Sequence, residues 1–292
     1  MLHINSNKRR KGTAPSHTVH HCVRWGCLLL SLLLTTFNAR SEDWSRQGTT
    51  SWMVGIGGVK QLDTYLSPLE YSGPQLSALR ETQRNTHLAN GRVSFQSLLQ
   101  GALTYTENDP STANDWGGHV NYDAGWHYNW QPATGLQLMA GGMIGTDIGF
   151  LYNDRNGNNP AQARLNVDVS ASAAAVYHLR LRHRFIGLRY QINVPLAGCM
   201  FSPQYGQSYY EISQGNRDHN AVFAHPFNAF SCWQMLSVDI PLKRYTLRTG
   251  YLCDIHQSHV NHIRVHDYSH SFMIGIVRHF TLHTPPLRQE KR

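Results

Sequence analysis

From about residue 50 to residue 280 the chain alternates between apolar and polar side chains with a period of two, over stretches much longer than an ordinary strand. Between Trp116 and Trp130 one parity reads Trp116, Gly118, Val120, Tyr122, Ala124, Trp126, Tyr128, Trp130, and the other reads Gly117, His119, Asn121, Asp123, Gly125, His127, Asn129. Successive strand residues point to opposite faces, so this segment has one aromatic, apolar face and one polar face. The pattern returns at Leu165 to Leu179, Ile186 to Leu196 and Tyr245 to Ile255. Strands of soluble sandwiches average only about five or six residues. A dozen or more residues with aromatics near their ends fit strands that cross lipid at a tilt. An open sheet edge in hydrocarbon would leave amides and carbonyls unpaired, so such strands must close on themselves. The expected fold is all-β: a single antiparallel transmembrane β-barrel.

The links between strands divide into two kinds. Tight ones fall at Leu88 to Gly91, Gln131 to Gly135, His178 to His183 and Pro241 to Arg244; longer polar ones fall at Tyr65 to Pro74, Glu107 to Asn114, Leu151 to Gln162, Ala197 to Pro226 and Gln257 to His266. Short and long alternate, as periplasmic turns and outer loops do in outer-membrane barrels. Counting between them gives ten strands, an even number that returns both chain ends to the periplasm. The stretch Gln75 to His87 alternates poorly, because it carries Arg80, Glu81 and Arg84. The link from Ala197 has room for one more hairpin around Ser208 to Ile212, which would make twelve.

Composition agrees with this reading. Charged residues are 15%, aromatics 11%, and there are 24 glycines, yet mean hydropathy is negative. The net charge of +8 suggests nucleic acid until it is located. Lys8, Arg9, Arg10, Lys11, Arg24 and Arg40 are six of the 26 basic residues, and no acid precedes Glu42. From Ser41 onward 20 basic residues face 18 acidic ones, a net of +2, so no nucleic-acid partner is implied. The basic start, the short run Leu28 to Leu34 and the small residues near Ala39 read as a secretory signal peptide over residues 1–40. That run is too short to span a bilayer. The barrel is then expected over residues 41–280, with a disordered periplasmic tail over 281–292 holding Pro285 and Pro286. Cys199, Cys232 and Cys253 are too scattered for a disulfide framework, although one bridge is open to them.

Three stretches carry a family resemblance: Tyr65 to Gly73 (YLSPLEYSG), Ser202 to Ile212 (SPQYGQSYYEI) and His270 to Gly275 (HSFMIG). They resemble an uncharacterised outer-membrane barrel family, a domain of unknown function, of bacteroidete-type bacteria. The resemblance implies a barrel in the outer membrane and brings no catalytic residues with it. It makes outer-membrane lipid and, during insertion, the barrel assembly machinery the expected partners.

No motif implies a cofactor or a metal. Gly57-Gly58 and Gly141-Gly142 lack the strand–loop–helix setting and following Lys of a phosphate loop. His256, His259, His262, His266 and His270 form a dense histidine stretch, but His256 and His259 have opposite parity and converge only if the stretch is a loop. The catalytic candidates are His256 and Ser258 with Asn261 nearby, similar to the His-x-Ser of outer-membrane phospholipases and lipid A deacylases. Parity places His256 and Ser258 on the lumen side, whereas lipid-cleaving barrels keep their nucleophile on the lipid side. The lumen-facing polar candidates are His119, Asp123, His127, Asp168, Arg189, Asp239 and Arg248, with Asp239 and Arg248 expected diagonally across one hairpin. A barrel of about eight strands is just filled by its own side chains, so ten strands disfavour a wide porin. The sequence therefore reads first as a non-catalytic barrel: a narrow channel, a surface-binding protein or a structural component. A lipid- or lipopolysaccharide-modifying hydrolase is the second reading, and a soluble periplasmic β-sandwich that binds a ligand is the third.

Overall fold

The computed structural model describes residues 47–181, 184–242 and 245–281. The leader expected over residues 1–40 lies outside these, as does the expected tail apart from Thr281, which ends the last strand.

Among the described residues eleven strands are formed in chain order: β1 (Gln47–Asp63), β2 (Tyr71–Asn85), β3 (Val93–Asn108), β4 (Asn114–Ala133), β5 (Leu136–Asn153), β6 (Ala161–Leu181), β7 (Arg184–Phe201), β8 (Ala221–Ala224), β9 (Ala229–Pro241), β10 (Thr246–Val260) and β11 (Ile263–Thr281). Each pairs antiparallel with its neighbour, and β1 pairs with β11 to close the ring. The wall is ten long strands; β8 is a four-residue addition on the end of β7. The wall strands run from 13 to 21 residues. A tilted strand needs only about 9–11 to cross hydrocarbon, so each projects beyond it.

Alternation sets the two faces. Trp52, Val54, Ile56, Val120, Ile144, Ile148, Val167, Val169 and Ile274 point outward and are exposed, while their neighbours point into the lumen. Trp116 and Tyr152 ring the outer face toward the long-loop end, and Trp126, Tyr128 and Trp130 ring it toward the short-turn end. Two aromatic girdles around an apolar band are the signature of a lipid-crossing barrel. The irregular β2 obeys the same rule: Leu76, Ala78 and Arg80 face out, while Leu79 and Glu81 face in. The Arg80 guanidinium lies 4.8 Å over the Trp52 ring and that of Arg84 5.4 Å over Phe95, so the apolar stems lie against the wall and the charges against aromatic faces.

Two links differ from expectation. The stretch Gln257 to His266 is not a loop; β10 continues to Val260 and β11 resumes at Ile263. Only Asn261 and His262 turn, with φ of 52° and 62°, the paired left-handed conformation of a two-residue hairpin whose twist matches its strands. Asn tolerates that region, but His262 is strained there. His262→Gly should therefore raise stability by about 1 kcal/mol, read as a higher urea midpoint in micelles; an unchanged or lower midpoint would contradict it. The link after Ala197 holds no extra hairpin at Ser208. Residues Tyr209–Ser213 form a short helix, α1, closed by a capping box in which Ser208 accepts from the Glu211 N–H and Glu211 accepts from the Ser208 N–H. The count of ten stands, and twelve does not.

Long-loop residues fold back over one mouth of the barrel. Tyr65 and Leu66 are buried against Leu151 and Ile263, with Tyr209 and Val265 packed alongside. The Tyr65 hydroxyl donates to the Gln207 carbonyl at 2.7 Å, and burial pushes its pKa up to about 12, so it stays a donor.

Candidate functional site

The lumen has three levels. Nearest the short turns, Glu81 sits between two arginines: Arg189 Nη2 is 2.6 Å from its Oε1 and Arg248 Nη1 is 2.6 Å from its Oε2. Gln96 donates to the same carboxylate at 2.7 Å, and Gln96 and Gln191 exchange amide bonds at 2.9 and 3.1 Å. Arg248 also grips Asp239 in a fork, Nε to Oδ1 at 2.6 Å and Nη2 to Oδ2 at 2.7 Å. Asp239 and Arg248 are direct cross-strand partners, not the diagonal pair that sequence spacing suggests. His127 Nε2 lies 2.8 Å from the Ser172 hydroxyl, which donates to Asn193. Charges of both signs are matched and hydrogen-bonded, which is the condition for keeping ions out of water.

Above this network lies an apolar layer. Met53, Leu79, Met235, Leu252 and Met273 pack together across the lumen, with Trp233 against them. Small residues in the wall make room: a Cβ on Gly55 would fall 2.2 Å from the Met273 sulfur and 2.6 Å from the Phe272 carbonyl oxygen. Flexible thioethers fill an irregular cross-section well.

Between that layer and the loop-covered mouth is a chamber of about 160 Å3. Its charged lining is Asp63, Asp123, Asp147, Asp168, Asp254 and Asp267 against Arg164, with His119, His225 and His256. Arg164 lies against Asp267 and 3.6 Å from Asp63 at the loop end. Deeper in, Asp168 accepts from Ser170 at 2.6 Å and Asn166 at 2.9 Å, and Asp254 accepts from Gln100 at 2.9 Å. Asp123 and Asp168 flank Gly145; a Cβ there would stand 2.3 Å from Asp123 Oδ1 and 3.4 Å from Asp168 Oδ1. Glycine thus lets two carboxylates crowd one point. Asn193 is 4% exposed and its Nδ2 has no partner.

The candidate residues are distributed over these levels. His127, Arg189, Asp239 and Arg248 belong to the turn-end network, while His119, Asp123 and Asp168 line the chamber. The catalytic trio does not assemble. His256 Nδ1 is 3.1 Å from the Ser231 hydroxyl, not from Ser258, and its Nε2 is 2.9 Å from Asp254 Oδ1. Asn261 donates to the carbonyls of Ser202 and His219, each at 2.9 Å, and so braces two loops. Asp254, His256 and Ser231 thus stand in a hydrogen-bonded line along the lumen wall. Because the strand persists through Val260, His256 and His259 stay on opposite faces. Among the described residues no cluster of three metal-binding side chains is formed and no disulfide joins the cysteines. Sequence reasoning did not single out Glu81, Asp147 or Ser231, although the lumen parity of their strands was the signal.

Fold and lumen together define a class: a closed ten-stranded barrel with an apolar exterior and an interior that is ion-paired toward the short turns and acidic toward the long loops. The chain belongs to the family described as "Protein of unknown function (DUF3316)", whose profile matches residues 26–285. No protein of curated function matches it. Among solved structures it is similar to the transport unit of the autotransporter AIDA-I from Escherichia coli, at 10% identity over 90% of this chain and 97% of that one, with a TM-score of 0.46. It is also similar to the translocator domain of the autotransporter NalP from Neisseria meningitidis (10% identity, 90% and 97% covered, TM-score 0.38). A third similar structure is a Pseudomonas aeruginosa FadL homologue (10%, 82% and 91%, TM-score 0.34).

Proposed function

We propose that the protein is an outer-membrane barrel closed to free flow that holds a small positively charged solute in its chamber. The observation that carries this reading is the asymmetry of the lumen: ion-paired and methionine-lined toward the turns, and lined above by six aspartates, of which Arg164 holds Asp63 and Asp267 and His256 holds Asp254, while Asp123, Asp147 and Asp168 have no ion pair among the described residues. In a low-dielectric cavity uncompensated carboxylates draw a cation strongly. The apolar belt between aromatic girdles supports insertion in lipid, and the basic, leucine-rich start of the chain supports export. In that setting the long loops face outward, the short turns face the periplasm, and the barrel assembly machinery performs the insertion. The resemblance of the sequence to barrels of bacteroidete-type bacteria supports an origin there.

This reading makes a measurable distinction from a narrow channel. Purified protein in a planar bilayer should show no unitary conductance in potassium chloride, and a steady open level would remove the closed-lumen reading.

A further inference from the structure

The wall is not continuously paired. The β7–β9 ladder runs from Gly187↔Asp239 to Asn193↔Trp233 and stops. β7 next pairs with β8, from Gly198↔Ala224. Residues 194–197 of β7 and 229–232 of β9 therefore face each other without ladder pairing; on their other sides Val194, Pro195 and Ala197 stay paired to β6, with Leu196 bulged out of that ladder, and 229–232 stay paired to β10. A turn from His225 to Asn228 separates β8 from β9 at the break, and the His259 N–H donates to the Asn228 carbonyl at 2.8 Å on the β10 side.

The break is framed by small or cyclic residues, Pro195, Ala197, Gly198, Ala224 and Ala229, and all five also line the chamber. Pro195 brings no N–H to leave unsatisfied. The break lies within the apolar belt, because Leu196, Val167 and Val169 beside it point outward and are more than half exposed. Phe223 and Phe227 project from the rim on its loop side, 64% and 97% exposed. Unpaired backbone in hydrocarbon is unfavourable unless it lines a cavity or is covered, so a break that leads into a cavity points to use.

Resting on the chamber reading above, we propose that the chamber is entered sideways from the bilayer, through the window between β7 and β9, by a membrane-dissolved amphiphile with a cationic head. The alkyl portion crosses the frame of small residues beside Leu196, and the head reaches Asp123, Asp147 and Asp168. The unpartnered Asn193 Nδ2, on the strand that edges the window, offers a donor to an acceptor on the same ligand. The chamber's charge rejects an anionic amphiphile such as a fatty acid.

The test uses the protein in phospholipid nanodiscs with three photoreactive diazirine probes: a dodecylamine, a dodecanoic acid and a short water-soluble amine. Labelled residues are mapped by mass spectrometry. Dodecylamine should label the window edge, Ala197 and Ala229, and the chamber residue Trp233, several-fold above the distant belt residues Val54 and Ile274; dodecanoic acid should not. Ala229→Trp, which fills the window, should lower Trp233 labelling by dodecylamine at least fivefold while belt labelling is unchanged. Ala197→Phe repeats the test from the other edge should the first variant not fold. Labelling of Trp233 that persists in the filled variant, labelling confined to the window, or equal labelling by both long-chain probes overturns the proposal. The short amine separates the two readings: if it labels the chamber regardless of the window, the chamber stands and the lateral route falls. If neither amine labels Trp233, the chamber reading itself falls.

Discussion

Glu81→Ala should destabilise the barrel by about 3–5 kcal/mol, the loss expected when one partner of a buried ion pair is removed and the others remain. Glu81 is 5% exposed, and its removal leaves Arg189 and Arg248 side by side in the lumen with only Asp239 between them. Gln96 loses its acceptor as well. Glu81→Gln keeps the shape and one acceptor, and should fall between the variant and the parent. Urea unfolding in micelles, followed by tryptophan fluorescence and by heat-modifiable migration on gels, measures the difference. A loss below about 1 kcal/mol would mean that water screens the pair as at a surface, and the picture of a dry, sealed turn end would be wrong.

The second large effect is on the other side of the wall. Ile144 lies at the middle of β5, points outward and is 60% exposed. Ile144→Arg should destabilise the inserted barrel by about 2–4 kcal/mol, the range for a basic residue at the bilayer midplane. The neighbouring inward position offers a control: Thr substituted at Ser170, which faces the chamber, should change stability by much less. If Ile144→Arg is tolerated in lipid as well as Ile144→Thr, the outer face of β5 does not meet hydrocarbon.

The fold was legible because lipid on one side and a polar interior on the other impose the same rule on every strand. Trp116 to Trp130 displays that rule in one glance, and β4 keeps to it until its register shifts after Trp130. β2 hid it, since Arg80 and Arg84 look unfit for an outer face until the rings of Trp52 and Phe95 are brought beside them by register, a cross-strand fact absent from any single segment. The hairpin at Asn261-His262 was obscured by its polarity: His256, Gln257 and Ser258 resemble a loop, yet a lumen-facing strand is allowed to be polar. The candidate site was legible only as a face. Parity picks out Asp123 and Asp168 but cannot say that Arg189 belongs with Glu81 on β2 or that His256 reaches Ser231, because those meetings depend on how far each strand slides against the next. The broken ladder between β7 and β9 has no sequence signature beyond Pro195, whose ring also suits a bulge.

The pairing of β1 with β11, seventeen residues long from Gln47↔Thr281 to Asp63↔Val265, has a consequence for biogenesis. The first strand to leave the ribosome waits for the last, so no intermediate of synthesis can hide both its margins. Contacts this distant in the chain are slow to form, and an unmatched margin invites pairing with a stranger. A chain cut short before Ile263 would therefore be a source of aggregates and proteolysis, not a smaller working barrel, and the cell must escort the whole polypeptide until its two ends meet.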